Sequence, residues 1–337
     1  MCPNSLQWRS LSVVNKKEVA DPIRRRVAVI YNPVAGFRQR GRLRGFLKHL
    51  RARGHDVVLR RTEGPGHATT IASELDVESV DVVVAAGGDG TINEVANGLI
   101  GRPIPMAIAP LGTANVFAFE LGLGLKLKRA ADMPSQGRVA EIFPALAGER
   151  GFLLMVSAGP DARVVADVNS KLKRIIGKMA YVMAAVREIA RNANTTITVT
   201  VDGHTHQAGL AIVTHASHYA GPFVISPDTR LGDDAISVVL LKGTSRWALV
   251  RYGFALLTNR VAKLPDATLL RARRVRIDGP VGEPIQSDGD LIGQAPMEIA
   301  LGSRPLRILV PDLSRVLVPT PVAISSPAVE QPVYGKP

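Results

Sequence analysis

Very little in this chain serves disulfides, base stacking or membrane crossing. It has one cysteine, Cys2, which excludes an intramolecular disulfide and a cysteine-rich zinc site and fits a reducing cytoplasm. Aromatic residues make up 4% of the sequence, leaving few platforms on which single-stranded nucleic acid stacks. No charge-free apolar run reaches the roughly 20 residues that a transmembrane helix needs. The opening MCPNSLQWRS lacks a signal peptide's apolar core, so the chain is not expected to span a membrane. Zinc-finger, RNP-like and helix-turn-helix patterns are missing, as are internal repeats.

What is present is an ordinary globular composition, 46% hydrophobic and 21% charged. At 337 residues, two domains are a better expectation than one core. The net charge of +13 points to an anionic partner: nucleotide phosphates, lipid headgroups or nucleic acid. Nothing beyond charge recommends nucleic acid, and none is expected.

Val27–Tyr31, Asp56–Leu59, Val82–Ala86 and Ile104–Ala109 read as strands. Helical patterns separate them, including residues 38–53 with Leu43, Phe46, Leu47 and Leu50 on one face. This alternation predicts a parallel α/β sheet whose ligands gather at the strands' carboxyl ends. After about Gly137 the texture changes. Thr196–Val201, Gly209–Thr214, Ile236–Leu241 and Arg273–Ile277 read as short strands of an antiparallel β domain. The expected division is a lead-in at 1–23, an α/β domain at 24–136 and a β-rich domain at 137–300. A strand returning to the first sheet is expected within 301–316, and a disordered Pro-rich tail at 317–337.

The densest signal is VVVAAGGDGTINEVANGLI at 82–100. An apolar strand leads into Gly87-Gly88-Asp89-Gly90-Thr91, and then Ile92, Val95, Ala96, Leu99 and Ile100 form a helical stripe. Bare backbone before a helix N-terminus admits a phosphate. The loop is neither G-x-G-x-x-G nor a P-loop with its lysine. The bland reading is a tight turn with a capping box, Thr91-Ile92-Asn93-Glu94. Asp89 favours the phosphate reading, because an acid in an anion-attracting loop points to a metal beside the phosphates.

GGDGTINEVANGL, followed by PLGTANVFA at 110–118, resembles the catalytic domain of the diacylglycerol kinase and sphingosine kinase family, particularly its bacterial soluble branch. YNPVAG at 31–36, TEGPGHA at 62–68, ISPDTRLGDDAISVV at 225–239 and SDGD at 287–290 match further elements in order. The resemblance covers roughly residues 26–312. It implies an NAD-kinase-like α/β domain followed by an antiparallel β-sandwich, with ATP, Mg2+ and a lipid substrate meeting between them.

By position, the nucleotide site would comprise Asn32, Thr62, Gly87, Gly88, Asp89, Gly90, Thr91, Ile92, Asn93, Gly112, Thr113 and Asn115. The catalytic acids would be Asp288, Asp290 and Asp89. Taken alone, Asp288-Gly289 is a hairpin turn. The family's glutamate is Asp290 here, which leaves the division of labour within the pair open. A structural magnesium would take the Asp233 carboxylate and the Arg230 and Ala235 carbonyls; an acidic surface turn is the other reading, since the family's glycine is Asp234. The family's acid after Gly-Thr-x-Asn is Val116, and 139–148 holds no good counterpart of another acidic residue.

The basic segment Asn169–Arg191, with Lys171, Lys173, Arg174 and Lys178, reads either as a packed helix or as one meeting anionic lipid. The histidines His204, His206, His215 and His218 read as structural or surface residues, without zinc-ligand spacing. The leading expectation is a kinase acting peripherally on a lipid at the inner membrane face. Diacylglycerol is the first substrate considered, and ceramide or a sphingoid base the variant. An NAD-kinase-type enzyme and a non-catalytic nucleotide binder are the competing readings. Oligomeric state is not legible, a homodimer being one option.

Overall fold

The computed structural model describes residues 24–33, 39–167, 178–191 and 195–316. The first sheet opens with four parallel strands, β1 (Arg26–Tyr31), β2 (Asp56–Arg61), β3 (Val82–Gly87) and β4 (Met106–Pro110). Their spatial order is β2-β1-β3-β4. β3 is buried along its whole length, as an apolar run without alternation requires when helices cover both faces. The chain steps outward from β1 to β2 and then back across to β3, so the topological switch point falls between β1 and β3. Ligands of open α/β sheets bind at such points.

Leu306–Val310 returns to this sheet, parallel to β4. Its other neighbour is β5 (Arg138–Ile142), which pairs with it antiparallel. β5 lies beyond the boundary expected at 137, yet it is the first sheet's edge strand, because Ala140 and Ile142 alternate into that core. The chain leaves the first sheet after residue 142.

Helices α1 (Gln39–Ala52), α2 (His67–Glu74) and α3 (Asp89–Leu99) flank the sheet, with α4 (Val116–Glu120) and α5 (Leu127–Gln136) following β4. Leu43, Phe46, Leu47 and Leu50 of α1 are buried, the stripe expected from their spacing. α3 departs from expectation at its start. It begins at Asp89, with Gly88 as N-cap and no side-chain cap, so Thr91-x-x-Glu94 is not a capping box. Glu94 instead accepts the Ala68 backbone N–H at the start of α2, at 3.2 Å.

The second unit is a sandwich of two six-stranded antiparallel sheets. One holds Ile197–Val201, Arg274–Asp278 and Met297–Leu301; the other holds Met155–Ala158, Leu210–Thr214, Ile236–Leu241 and the hairpin Pro284–Ser287/Asp290–Gln294. Val199, Val213, Val238 and Ile277 fill the space between them. On the outer face of the second sheet lie α6 (Pro160–Asp167) and helix Arg246–Leu257, and helix Lys178–Arg191 packs against both of them. Within the basic stretch 169–191, residues 169–177 and the side chains of Lys178, Met179 and Val182 lie outside the described residues. Among the described residues, no helix is long and apolar enough to cross a membrane.

α2 and α3 touch backbone to backbone at Gly98, where a Cβ would overlap the Thr69 carbonyl and lie 2.7 Å from the Ala72 Cβ. Overpacking of this kind costs about 1–3 kcal/mol. Gly98→Ala is therefore expected to destabilise the chain by that amount in urea unfolding, although alanine is the better helix former. An unchanged midpoint would refute the close packing.

Candidate active site between the two domains

The four parallel strands end on one edge, and the residues after them form the floor of the site. Asn32, after β1, donates its side-chain amide to the Thr91 hydroxyl at 3.3 Å, which bridges the switch point. Thr62, after β2, is buried, and its N–H meets the Tyr31 carbonyl at 2.9 Å. After β3 and β4, the two glycine loops converge. A Cβ on Gly112 would overlap the Gly88 Cα, and one on Gly87 would lie 2.6 Å from the Thr91 Cβ. Only bare backbone fits this approach.

Asn115 sits in the left-handed region at φ 50°. Its side chain holds the loop closed, accepting the Gly112 N–H at 2.8 Å and donating to the Gly112 carbonyl at 2.9 Å. Thr113 is exposed at the loop's tip. Asp89 turns toward α4 and accepts the Phe117 N–H at 3.1 Å. Its pKa is raised by burial, against the pull of those backbone N–H groups. Two expected nucleotide residues do not open into the floor. Ile92 is wholly buried in the core. Asn93 is buried beneath the loop, where its backbone carbonyl receives the Asn97 side chain at 2.8 Å and its own side-chain NH2 group has no partner.

The sandwich supplies the roof. Asp288 and Gly289 have φ values of 51° and 87°, the left-handed pair that a tight hairpin turn demands. The two candidate acids Asp288 and Asp290 therefore sit on a hairpin turn. The Asp288 carboxyl accepts the Met155 N–H at 2.8 Å and the Leu153 N–H at 3.3 Å. Burial pushes its pKa up to about 7; the Asp89 charge adds to the rise and the backbone N–H groups oppose it. Asp290 reaches the floor, its Oδ2 lying 3.3 Å from where a Gly90 Cβ would be.

Further contacts lock floor and roof together. Asn97 pairs with Gly151 in both directions, at 2.8 and 2.9 Å. Glu120, at the end of α4, accepts the N–H groups of Ser217 and His218 at 3.1 and 3.0 Å and the His218 ring at 2.6 Å. Burial raises the Glu120 pKa, but these bonds outweigh it and leave the carboxylate below its ordinary range. Gln286 donates to Ser157 at 2.7 Å and to Asp161 at 3.0 Å while accepting the Gly289 N–H at 2.9 Å. That bond orients the acid turn.

Residues 26–145 match the diacylglycerol kinase catalytic domain, and residues 154–311 match the YegS C-terminal NAD kinase beta sandwich-like domain. The chain joins a diacylglycerol kinase catalytic domain to a YegS-type sandwich domain. Its curated relatives include a diacylglycerol kinase of Bacillus subtilis, 28% identical over 85% of this chain and 97% of the relative. Another, from Staphylococcus carnosus, is 26% identical over 81% and 91% respectively. A crystal structure of a diacylglycerol kinase from Bacillus anthracis shares the fold at a TM-score of 0.64 and 22% identity, covering 85% of this chain and 97% of that one. A second Bacillus anthracis structure gives a TM-score of 0.73 at 24% identity, over 88% and 98%. The enzyme is a lipid kinase, a phosphotransferase.

Within this kinase, Val116 is buried in the core and brings no polar group to the cleft. The loop expected to hold a structural magnesium does not fit one. The Asp233 Oδ2 accepts the Arg230 N–H at 3.0 Å and pairs with Arg271 at 3.2 Å, and the Arg230 carbonyl accepts the Asp233 N–H at 3.1 Å. A guanidinium already neutralises the one carboxylate of that donor set. Ala235 adds only a carbonyl. Asp234 is exposed and pairs with Arg273 at 2.9 Å, as in an acidic surface turn.

Glu120, Ser217, His218, Gln286 and Asp161 were not legible as site residues. One signal was available for Glu120, which lies four positions after Val116 on the same helical face. His218 belongs to this junction. His215 is fully buried, and burial lowers its pKa to about 4. Among the described residues, no group of three histidine, cysteine or acidic side chains forms a metal cluster.

Two measurements probe this geometry. Gly112→Ala is expected to weaken binding of an ATP analogue by about tenfold or more, equivalent to ~1.4 kcal/mol. Gly45→Ala, where nothing lies within 4 Å, should leave binding unchanged; equal affinities for both variants would sink the close-approach argument. The second concerns Asp288, whose carboxyl rises from 3.8 to about 7 on folding. The folded chain therefore holds this proton where the unfolded chain has lost it, and stability falls as pH rises between about 4 and 7. Denaturant titrations should show Asp288→Asn gaining on the wild type across that window. A constant difference between the two would mean Asp288 is not held neutral.

Proposed function

We propose that the chain transfers the γ-phosphoryl group of ATP, with magnesium, to a hydroxyl of diacylglycerol or a closely related lipid at a membrane surface. The observation that carries the reading is Asp288, a half-buried carboxyl with a pKa of about 7, on the hairpin turn whose next acid, Asp290, reaches Gly90 of the first glycine loop. A base poised near neutrality suits proton abstraction from an alcohol. Phosphoryl transfer otherwise asks mainly for positioning and charge stabilisation.

The backbone of Gly88–Gly90 and the uncapped start of α3 would hold the phosphates, and Gly112 and Thr113 would close over them. Asn32 and Thr62 would shape the wall at the switch point. Asp288 takes the hydroxyl proton as the lipid oxygen bonds to the γ-phosphorus and the bond to ADP breaks. Loop N–H groups meet the charge that ADP gains. Magnesium bound by phosphate oxygens and one or two carboxylates suits a site offering Asp290 beside Gly90, with Asp89 behind it; it would neutralise phosphate charge. Asp89 also fixes the second loop through Phe117.

The test combines labelled ATP with mixed micelles of diacylglycerol, monoacylglycerol, ceramide or sphingoid base. Label should enter one lipid, with kcat rising with pH through about 7 as Asp288 ionises. Asp288→Asn should lower kcat by about 10²–10⁴ and abolish that limb. Full activity in the variant, or label in none of the lipids, would reject the assignment.

A further inference from the structure

Helix Arg246–Leu257 is apolar on two sides. Ala248, Tyr252 and Ala255 pack on the outer face of the sandwich. Trp247, Val250, Phe254 and Leu257 form a second stripe at i, i+3, i+7 and i+10, with exposures of 73, 46, 67 and 62%. Beside it, helix Lys178–Arg191 adds Met183 and Val186, 49 and 61% exposed. Apolar residues scattered singly need no explanation, but a contiguous stripe of large ones marks an interaction surface.

The charges around the stripe narrow the occupant. Helix Arg246–Leu257 contains no acidic residue. The Arg246 guanidinium lies 6.0 Å from the Trp247 ring centre, and Arg260 and Lys263 are exposed just beyond the helix. The nearby acid Asp266 is taken by Arg251 and Tyr252. Tryptophan and phenylalanine flanked by cations suit a bilayer interface, where rings enter the acyl boundary and cations meet phosphates. A second copy of this chain would bring the same cations against themselves.

The stripe is also tied to the cleft. The segment that places His218 on Glu120 and Tyr219 on Asp161 runs on to Val224, whose N–H donates to the Asn259 side chain at 2.7 Å, two residues past the helix. We infer that the Trp247–Leu257 face, rimmed by Arg260 and Lys263, is the surface with which this kinase docks on an anionic lipid bilayer. The inference deepens the proposed function and rests on its lipid substrate. It places the contact on the Trp247 helix, a segment that the basic stretch 169–191 did not single out.

The experiment uses the full chain with Trp8→Phe, which leaves Trp247 as its only tryptophan, and vesicles of phosphatidylglycerol and phosphatidylcholine in equal parts. Trp247 emission should shift to the blue as the protein binds. Trp247→Ser/Phe254→Ser should weaken co-sedimentation by about tenfold or more, and Arg260→Glu/Lys263→Glu should remove the preference over pure phosphatidylcholine. Unchanged binding in both variants would overturn the inference. So would a wild-type dimer that the serine pair converts to monomer with vesicle binding intact, since a second copy would then cover the stripe. Activity in detergent micelles separates the two readings. Docking without label transfer in the wild type would uphold this surface and reject the kinase assignment; transfer retained by variants that no longer bind vesicles would uphold both.

Discussion

The Asp288 carboxyl gripping the N–H groups of Leu153 and Met155 is the contact on which the cleft depends. Those two amides sit where the chain passes from the α/β core, which includes Leu153 and Leu154, to the sandwich strand Met155–Ala158. The grip sets a hairpin more than a hundred residues further along the chain against the first glycine loop. Gln286 fixes the same turn from behind, through Gly289. The arrangement holds a half-buried acid near Asp89, and desolvation raises its pKa toward neutrality. A group held in this way weakens the fold at high pH, a stability loss that functional sites commonly carry.

Beneath the turn, the floor is built by omission. Gly88 and Gly112 let two loops approach at backbone distance, and Asn115 replaces a longer turn with two hydrogen bonds to one glycine. The acids divide by environment. Asp89 is spent largely on the amides at the start of α4, while Asp290 extends from the hairpin toward Gly90. Glu120 and Asn97 then tie α4 and α3 to the sandwich. The elements that carry the glycine loops thereby also clamp the two units together.

Much of the fold was legible because it rests on local periodicity. The buried strand Val82–Gly87, the α1 stripe and the return strand Leu306–Val310 all follow from which neighbours are apolar. The glycine loop was legible because few residue types tolerate such an approach. Misreadings arose where a distant partner outbid a local one. Glu94 serves Ala68 rather than a capping box, Asp233 meets Arg271 rather than an open cation site, and β5 finds its partner in the last strand. Glu120 and His218 lie 98 positions apart, and no short pattern links them. Helix Arg246–Leu257 carries apolar residues on both its covered face and its exposed one, and no local pattern tells the two apart.

The sequence by itself determined the alternating sheet, the bare loops after β3 and β4, and an acid-glycine turn near the chain's end. Each needs only the chemistry of adjacent residues. Tertiary structure alone decided which acid is buried, which is paired and which apolar face meets solvent. Those properties depend on groups that sequence distance separates and folding brings together, at about 3 Å for a hydrogen bond and about 4 Å for the apolar contacts that exclude water.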